Sequence, residues 1–261
     1  MTPTDLNDPA TAEMLGLNVR NARLSWGDTV FLDGFSFSAP AGSWTCLLGE
    51  SGVGKSTLLR VIAGLIEPAA PTEIRAHDGS RLENRVAYMA QQDLLLPWLS
   101  AAENVALGAR LRGERANRAR TLDILDRAGV AGRANALPSE LSGGERQRVA
   151  LARTLMEERP IVLMDEPFSA LDAITRTRLQ DLAVELLVNR TVLMVTHDPF
   201  EALRLADGIF VLTGGMQPAD ASIVPPGLAP RDPTDPALRD SHHRIMQRLT
   251  GNTAQTTGDV A

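Results

Sequence analysis

The sequence predicts an α/β fold: a mostly parallel sheet, an antiparallel β region ahead of it, and a helical segment inserted within it. Three observations carry this. The runs "PIVLMDEP" and "TVLMVTH" are continuously apolar and are separated by the helical period of "ITRTRLQDLAVELLV". That is the pattern of parallel strands covered on both faces. Residues 17–48 instead alternate apolar and polar positions with Gly, Asp and Pro punctuation, the mark of antiparallel strands. From Asp93 to Arg159 the pattern is mainly helical, with breaks at Gly113, Gly129, Gly132 and Pro138.

In chain order, residues 1–16 read as a disordered leader, because "MTPTDLNDPATAEM" offers neither a basic nor an apolar stretch. "LNVRNARLSW" and "TVFLDGFSFSAPAG" supply the antiparallel strands, and "SWTCLL" is a strand running into a glycine loop. "KSTLLRVIAGL" is the helix after that loop and "RVAYMA" the next strand. The helical insert (about 93–159) follows, then the strand–helix–strand unit and "GIFVLTGG", a further strand or hairpin arm. The core thus spans 17–215. The tail, 216–261, opens with the Pro-rich "QPADASIVPPGLAPRDPTDP", which reads as irregular, and "ALRDSHHRIMQRL" has the period of one amphipathic helix. No segment repeats.

Composition narrows the function. The chain has 261 residues, 44% of them apolar, and a formal net charge of −6. An acidic chain without clustered Lys and Arg argues against a nucleic-acid partner. The single cysteine, Cys46, excludes an internal disulfide and, among apolar neighbours, reads as a buried thiol. No apolar run approaches the roughly 18–20 residues that span a bilayer. The expectation is a cytoplasmic protein whose membrane role, if any, comes through a partner.

Four motifs bear chemistry. "GESGVGKST" places Gly49, Glu50, Ser51, Gly52, Val53, Gly54, Lys55, Ser56 and Thr57 between a strand and a helix, as the phosphate-binding G-x-x-x-x-G-K-[ST] requires. Glycines let backbone N–H groups curl around phosphates, Lys55 reaches the terminal ones, and the Ser56 hydroxyl ligates Mg²⁺. "IVLMDEP" ends a buried strand on Asp165 and Glu166, the edge at which α/β sheets bind ligands. Asp165 is expected to hold Mg²⁺, and Glu166 to orient and deprotonate a water. "MVTHDP" sets His197 at the end of the next strand, able to donate to a phosphate oxygen. The fourth motif, "ELSGGERQRVALART", is a second glycine-built helix start with no lysine. Its free N–H groups favour an anion.

Taken together, these motifs resemble the ATP-binding-cassette (ABC) ATPases over roughly residues 17–215. "LSGGERQR" looks like that family's signature, "FSALD" matches the loop after its acidic strand, and Gln91 in "YMAQQDLLLPW" matches its glutamine loop. The resemblance implies a P-loop NTPase (RecA-like) fold, ATP and Mg²⁺ as ligands, and a role for Gln91 at the metal and the reacting water. It also implies head-to-tail docking of two subunits. Ser142, Gly143, Gly144 and Glu145 of one would then face the ATP held by Lys55 of the other. An adenine-stacking aromatic is expected in the first strands, Trp26 ahead of Phe31.

The turn "LLPW" resembles importers for nitrate, taurine and alkanesulfonates, and "MAQQDLLLPW" with "NVALGARLRGE" resembles ATPases for uptake of the thiamine pyrimidine precursor. Such a subunit would sit on the cytoplasmic face of the cell membrane and drive a permease served by a solute-binding protein. Leu94, Leu95, Leu96 and Trp98 could receive a permease helix or form ordinary core. His242 and His243 lack a third ligand nearby and read as non-metal residues. The alternatives are an exporter or lipid-extraction complex and a nucleic-acid ATPase of the same cassette. The latter fits poorly with only about 110 positions between Lys55 and Asp165. A metabolic P-loop kinase leaves "LSGGERQR" unexplained.

Overall fold

The computed structural model describes residues 14–26, 29–213, 215–216 and 222–251; the predicted leader falls almost wholly outside them. Strands β1 (Leu17–Trp26) and β2 (Thr29–Ala39) pair antiparallel, with Leu17 opposite Ala39 and Val19 opposite Phe37. The short β4 (Glu73–Ala76) adds to the free edge of β1. Its sequence, "EIRA", is too short and too charged to stand out as a strand.

Strands β3 (Trp44–Gly49), β5 (Val86–Met89), β6 (Ile161–Asp165), β7 (Thr191–Thr196) and β8 (Gly208–Leu212) form a second, fully parallel sheet in the order β5-β6-β7-β3-β8. "GIFVLTGG" is divided between the two sheets. Its first part is β8, while Gly215–Met216 forms β9, which pairs parallel to β2. The first sheet, ordered β4-β1-β2-β9, is therefore antiparallel except at that edge.

Because side chains alternate across a strand, the parallel sheet feeds two cores. Leu47, Leu163, Leu193, Val195 and Phe210 face the first sheet and meet Leu17, Val19, Phe35 and Phe37. Helix α1 (Lys55–Ile62) joins this layer through Leu58, Leu59, Val61 and Ile62. Cys46, Leu48, Val162, Met164, Val192 and Met194 point the other way, into a core completed by helices. Cys46 is fully buried and unpaired, and burial pushes its thiol pKa well up, so it is an inert packing residue.

The helices of the inserted segment are α2 (Ala101–Val105), α3 (Leu107–Leu111), α4 (Arg118–Arg127) and α5 (Gly143–Leu155). Residues 93–100 form an irregular loop with a turn at Pro97–Trp98, and the first helix starts only at the Ser100 cap. The buried Asn104 explains this. Its amide donates to the carbonyls of Leu96, Leu99 and Ser100, and its oxygen accepts from the Leu96 N–H, so a side chain satisfies the loop's backbone. The loop divides the leucine run. Leu95 enters the core, whereas Leu94 and Trp98 stand 57% and 69% exposed.

Helix α6 (Ala173–Leu186), capped by Asp172, connects β6 to β7, and α7 (Pro199–Leu205), capped by Asp198, connects β7 to β8. The described part of the tail, 222–251, is irregular up to residue 235, as its composition predicts, yet it is docked on the domain. Ile223 bridges to Ile209, Arg231 is buried, and α8 (Arg239–Leu249) packs on α7 and β8 with Ile245 fully buried. His242 is not part of a metal cluster: among the described residues no group of three His, Cys, Asp or Glu could hold an ion.

Phe168, two residues beyond Glu166, is fully buried in the helical core. Phe168→Ala should cost about 3–5 kcal/mol of stability by transfer and cavity terms, read as a lowered urea midpoint.

Candidate active site

Strand β3 ends at a constraint on side-chain size. A Cβ on Gly49 would lie 2.3 Å from the carbonyl oxygen of Leu212 on neighbouring β8, which no relaxation of a flexible side chain could relieve. Beyond it, Gly52 and Gly54 take φ of +86° and +97°, a region costly for residues with a Cβ. The loop thus folds back tightly and hands the chain to α1 with Gly54 as the helix cap. Its backbone N–H groups and the positive end of α1 present an anion-binding concavity.

Lys55, buried, donates from Nζ to the carbonyls of Gly49 and Glu50, both at 2.7 Å. Burial lowers its pKa, while the carboxylates of Glu166 and Asp165 pull the other way. Ser56 Oγ donates to Asp165 Oδ1 at 2.8 Å. Asp165 has no exposed surface, and its Oδ2 is a buried oxygen without a hydrogen-bond partner among the described residues. Desolvation is the main cause holding its pKa up, against the Ser56 hydrogen bond.

Glu166 adopts φ +48°, an unusual conformation for a non-glycine residue. Its N–H donates to the Val195 carbonyl at 2.9 Å, and its own carbonyl accepts from Ser169 Oγ at 3.0 Å, so both sides of the strained position are fixed. The turn swings its carboxylate toward the loop. Oε2 accepts from Gln91 Nε2 at 3.4 Å and Oε1 lies 3.1 Å from His197 Nδ1. Gln91, Glu166, Lys55, Ser56, Thr57, Ser51, Gly52, Gly54 and Phe31 line one cleft of about 210 Å³. Residues from the glycine loop, the acidic strand end, the glutamine loop and strand β2 therefore converge, with His197 beside Glu166. Phe31 is the aromatic that lines the cleft; the side chain of Trp26 lies outside the described residues.

The second glycine motif does not join this cleft. Ser142 caps α5: its Oγ accepts from the Glu145 N–H at 3.2 Å, and the Glu145 carboxylate accepts from the Ser142 N–H at 2.8 Å. This capping box satisfies two otherwise orphaned donors and occupies Glu145, which also pairs with Arg133. Gly143 and Gly144 are not demanded by the protomer's own packing, since a Cβ at either would meet nothing closer than 3.9 Å. Further along α5, Gln147 Nε2 donates to the Pro167 carbonyl at 3.1 Å. Arg146 pairs with Asp93 at 3.1 Å, and Arg153 donates to the carbonyls of Asp93 and Leu94. One helix thus ties the Gln91 loop to the turn after Glu166. Leu94 has φ +45° within that tie. Sequence reasoning did not single out Asp93, Arg146 or Arg153, because charged residues on an arginine-rich helix read as a solvated face.

A glycine loop with a lysine on a helix start, beside a strand ending in two acids, defines a nucleoside triphosphatase of the P-loop kind. The family model described as "ABC transporter" matches residues 32–169, slightly over half the chain, and the chain belongs to that family as an ATP-binding, ATP-hydrolysing subunit. It is 41% identical to an uncharacterized ABC transporter ATP-binding protein of Haemophilus influenzae, over 90% of this chain and 99% of that protein. It is 45% identical to an aliphatic sulfonates import ATP-binding protein of Rhodococcus jostii, over 78% of this chain and 82% of that one. Among solved structures it resembles the ATP-binding cassette MJ0796 in a dimeric, post-hydrolysis state bound to ADP and phosphate. That match has a TM-score of 0.71 at 30% identity and covers 81% of this chain and all of that one.

A raised carboxylate pKa means that folding favours the protonated acid. Asp165 should therefore cost the nucleotide-free protein stability as pH rises from 3.8, its ordinary pKa, through its raised folded value, and the cost should persist at neutrality. The melting temperature of Asp165→Asn minus that of the parent should accordingly increase from about pH 4 to pH 7.

Proposed function

We propose that this chain is the ATPase subunit of an importer for a small anionic solute of the sulfonate type, working as a head-to-tail homodimer beneath a separate membrane permease. The observation that carries the dimer is the start of α5. Two glycines, each a poor helix former by about 1 kcal/mol against alanine, stand where the protomer has no steric need of them. A phosphate approaching from a second subunit does need that space. Ser142, Gly143 and Gly144 would offer N–H groups and a hydroxyl to the γ-phosphate held by the partner's loop, with Glu145 holding the cap in shape. The ATP-binding cassette MJ0796, similar to this chain, has been solved as a dimer, in one case in a post-hydrolysis state bound to ADP and phosphate, which supports a dimer here.

Within each site, the N–H groups of residues 49–57 would surround the phosphates while Lys55 turns from the Gly49 and Glu50 carbonyls to the β- and γ-oxygens. The adenine would stack on Trp26 or on Phe31, the aromatic already lining the cleft. A hydroxyl beside a carboxylate with one unpartnered buried oxygen is a hard-oxygen donor set suited to magnesium, and Ser56, Asp165 and Gln91 would hold it. The ion supplies charge neutralisation along the phosphate chain. Glu166 would accept the proton of the attacking water. Its two oxygens face different neighbours, Gln91 and His197, which would fix its direction, and the His197 ring would hold the water or the γ-phosphate oxygen.

The importer reading rests on the relatives named for aliphatic sulfonates import and on the exposed Leu94 and Trp98 beside Gln91. That patch suits a short amphipathic helix from a permease. No helix among the described residues is long and apolar enough to cross a membrane, so attachment at the cytoplasmic face would come through the permease, with a solute-binding protein on the far side.

Glu166→Gln should bind ATP normally, lose hydrolysis by about 100-fold or more, and accumulate as a dimer on size exclusion. Purified with ATP from detergent-solubilised membranes, this variant should bring down a multi-span permease; recovery of soluble partners alone would overturn the transporter reading. Ser142→Arg should abolish hydrolysis yet leave monomer ATP affinity unchanged. A loss of that affinity would refute the placement of Ser142 in the partner's site.

A further inference from the structure

We propose that the tail, residues 222–251, positions His197 by clamping α7, making Arg231 and His242 positioning residues for hydrolysis. The inference rests on the proposed part of His197 in the reaction.

Helix α7 starts two residues after His197 and has only seven residues, too few to hold its own geometry. Its buried face nevertheless sets the backbone on both sides of the histidine. Glu201, 6% exposed, accepts from Thr196 Oγ1 at 2.6 Å and from Gln180 Nε2 at 3.3 Å. The same Thr196 hydroxyl accepts from the Asp198 N–H at 3.1 Å. Residues 196 and 198 are thus tied to one carboxylate on α7, and a rotation of α7 would carry the ring between them off Glu166.

The tail holds α7 at both ends. At its C-terminus the Arg231 guanidinium donates to the carbonyls of Leu203 and Ala206, at 3.3 and 2.8 Å, supplying donors and positive charge where a helix end lacks both. Its remaining N–H groups go to the carbonyls of Pro226 and Gly227. The two backbones are joined as well: the Arg231 N–H donates to the Arg204 carbonyl, and the Arg204 side chain donates to the Arg231 carbonyl. Arg231 is 7% exposed, with the Asp207 carboxylate 3.8 Å away. A guanidinium so buried and so fully hydrogen-bonded is a fixed joint. At the N-terminal turn of α7, the Phe200 ring stacks on His242 of α8, centroids 5.2 Å apart at 20°. The far end of α8 brings Leu249 into a cleft with Glu50, Ser51, Gly52 and Val53. One tail thereby borders both flanks of the site.

The test compares His242→Ala, His242→Phe and Arg231→Ala in the full chain. The readouts are kcat and KM for ATP hydrolysis, ATP affinity by titration, and the NMR ring signals of His197, one of four histidines. His242→Ala and Arg231→Ala should lower kcat roughly tenfold, as a small misplacement of a reacting group does. ATP affinity should stay within about twofold, and the His197 signals should move. His242→Phe, which keeps the stack, should restore both. Lower melting temperatures with unchanged kcat per folded molecule and unmoved His197 signals would reduce the tail to packing and overturn the proposal. If Arg231→Ala fails to fold, the His242 pair decides. If His197→Ala hydrolyses ATP normally, the catalytic reading of His197 fails, and the His197 signals in His242→Ala still decide the clamp.

Discussion

The hydrogen bond from Ser56 to Asp165 is the contact on which the architecture of the site turns. The two residues stand on β3–α1 and on β6, strands that are not neighbours, since β7 runs between them. For them to meet, the parallel sheet must keep its order and register, and its two cores must fill. The contact also buries a carboxylate beside a lysine, both with pKa values displaced chiefly by desolvation. Unbalanced polar groups of this kind are tolerated where ligand binding offsets their cost.

Around that contact the site is assembled from strand ends and short turns, with left-handed backbone at Glu166 and at Leu94 beside the Gln91 loop. The left-handed conformation of Glu166 is trapped between the Val195 carbonyl and Ser169. Two helices flank it: α5 is tied to the Gln91 loop on one side, and α7 to the His197 segment on the other. Both are fixed by buried or half-buried side chains, Arg153 and Glu201, that take no part in lining the cleft.

Much of this was legible in the sequence because the relevant signals are local. Continuous apolar runs marked β6 and β7, the glycine spacing marked the loop, and an acid or histidine at a strand's end marked the cleft. The segment "EIRA" escaped notice because β4 is an edge strand of four residues with alternating charges. The irregular loop at 93–100 was hidden because its backbone is satisfied by Asn104, a single side chain several residues away. The tail shows where composition stops: its proline and aspartate marked an irregular segment and its spacing a final helix, but the docking of Arg231 on the Leu203 and Ala206 carbonyls could not be read, because a carbonyl on a distant turn leaves no trace in composition. Nothing in the sequence singles out Glu201 and Gln180 for the same reason: their partners, Thr196 and each other, lie on separate elements.

The glycine pair that opens α5 also separates what a lone protomer wants from what an assembly wants. Selection or design that scored only the thermal resistance of the isolated chain would replace Gly143 and Gly144 with alanine, since helix propensity favours it and nothing nearby objects. In the proposed dimer such a chain would be better folded and worse at its work, because the value of those two positions would lie in a neighbour's pocket.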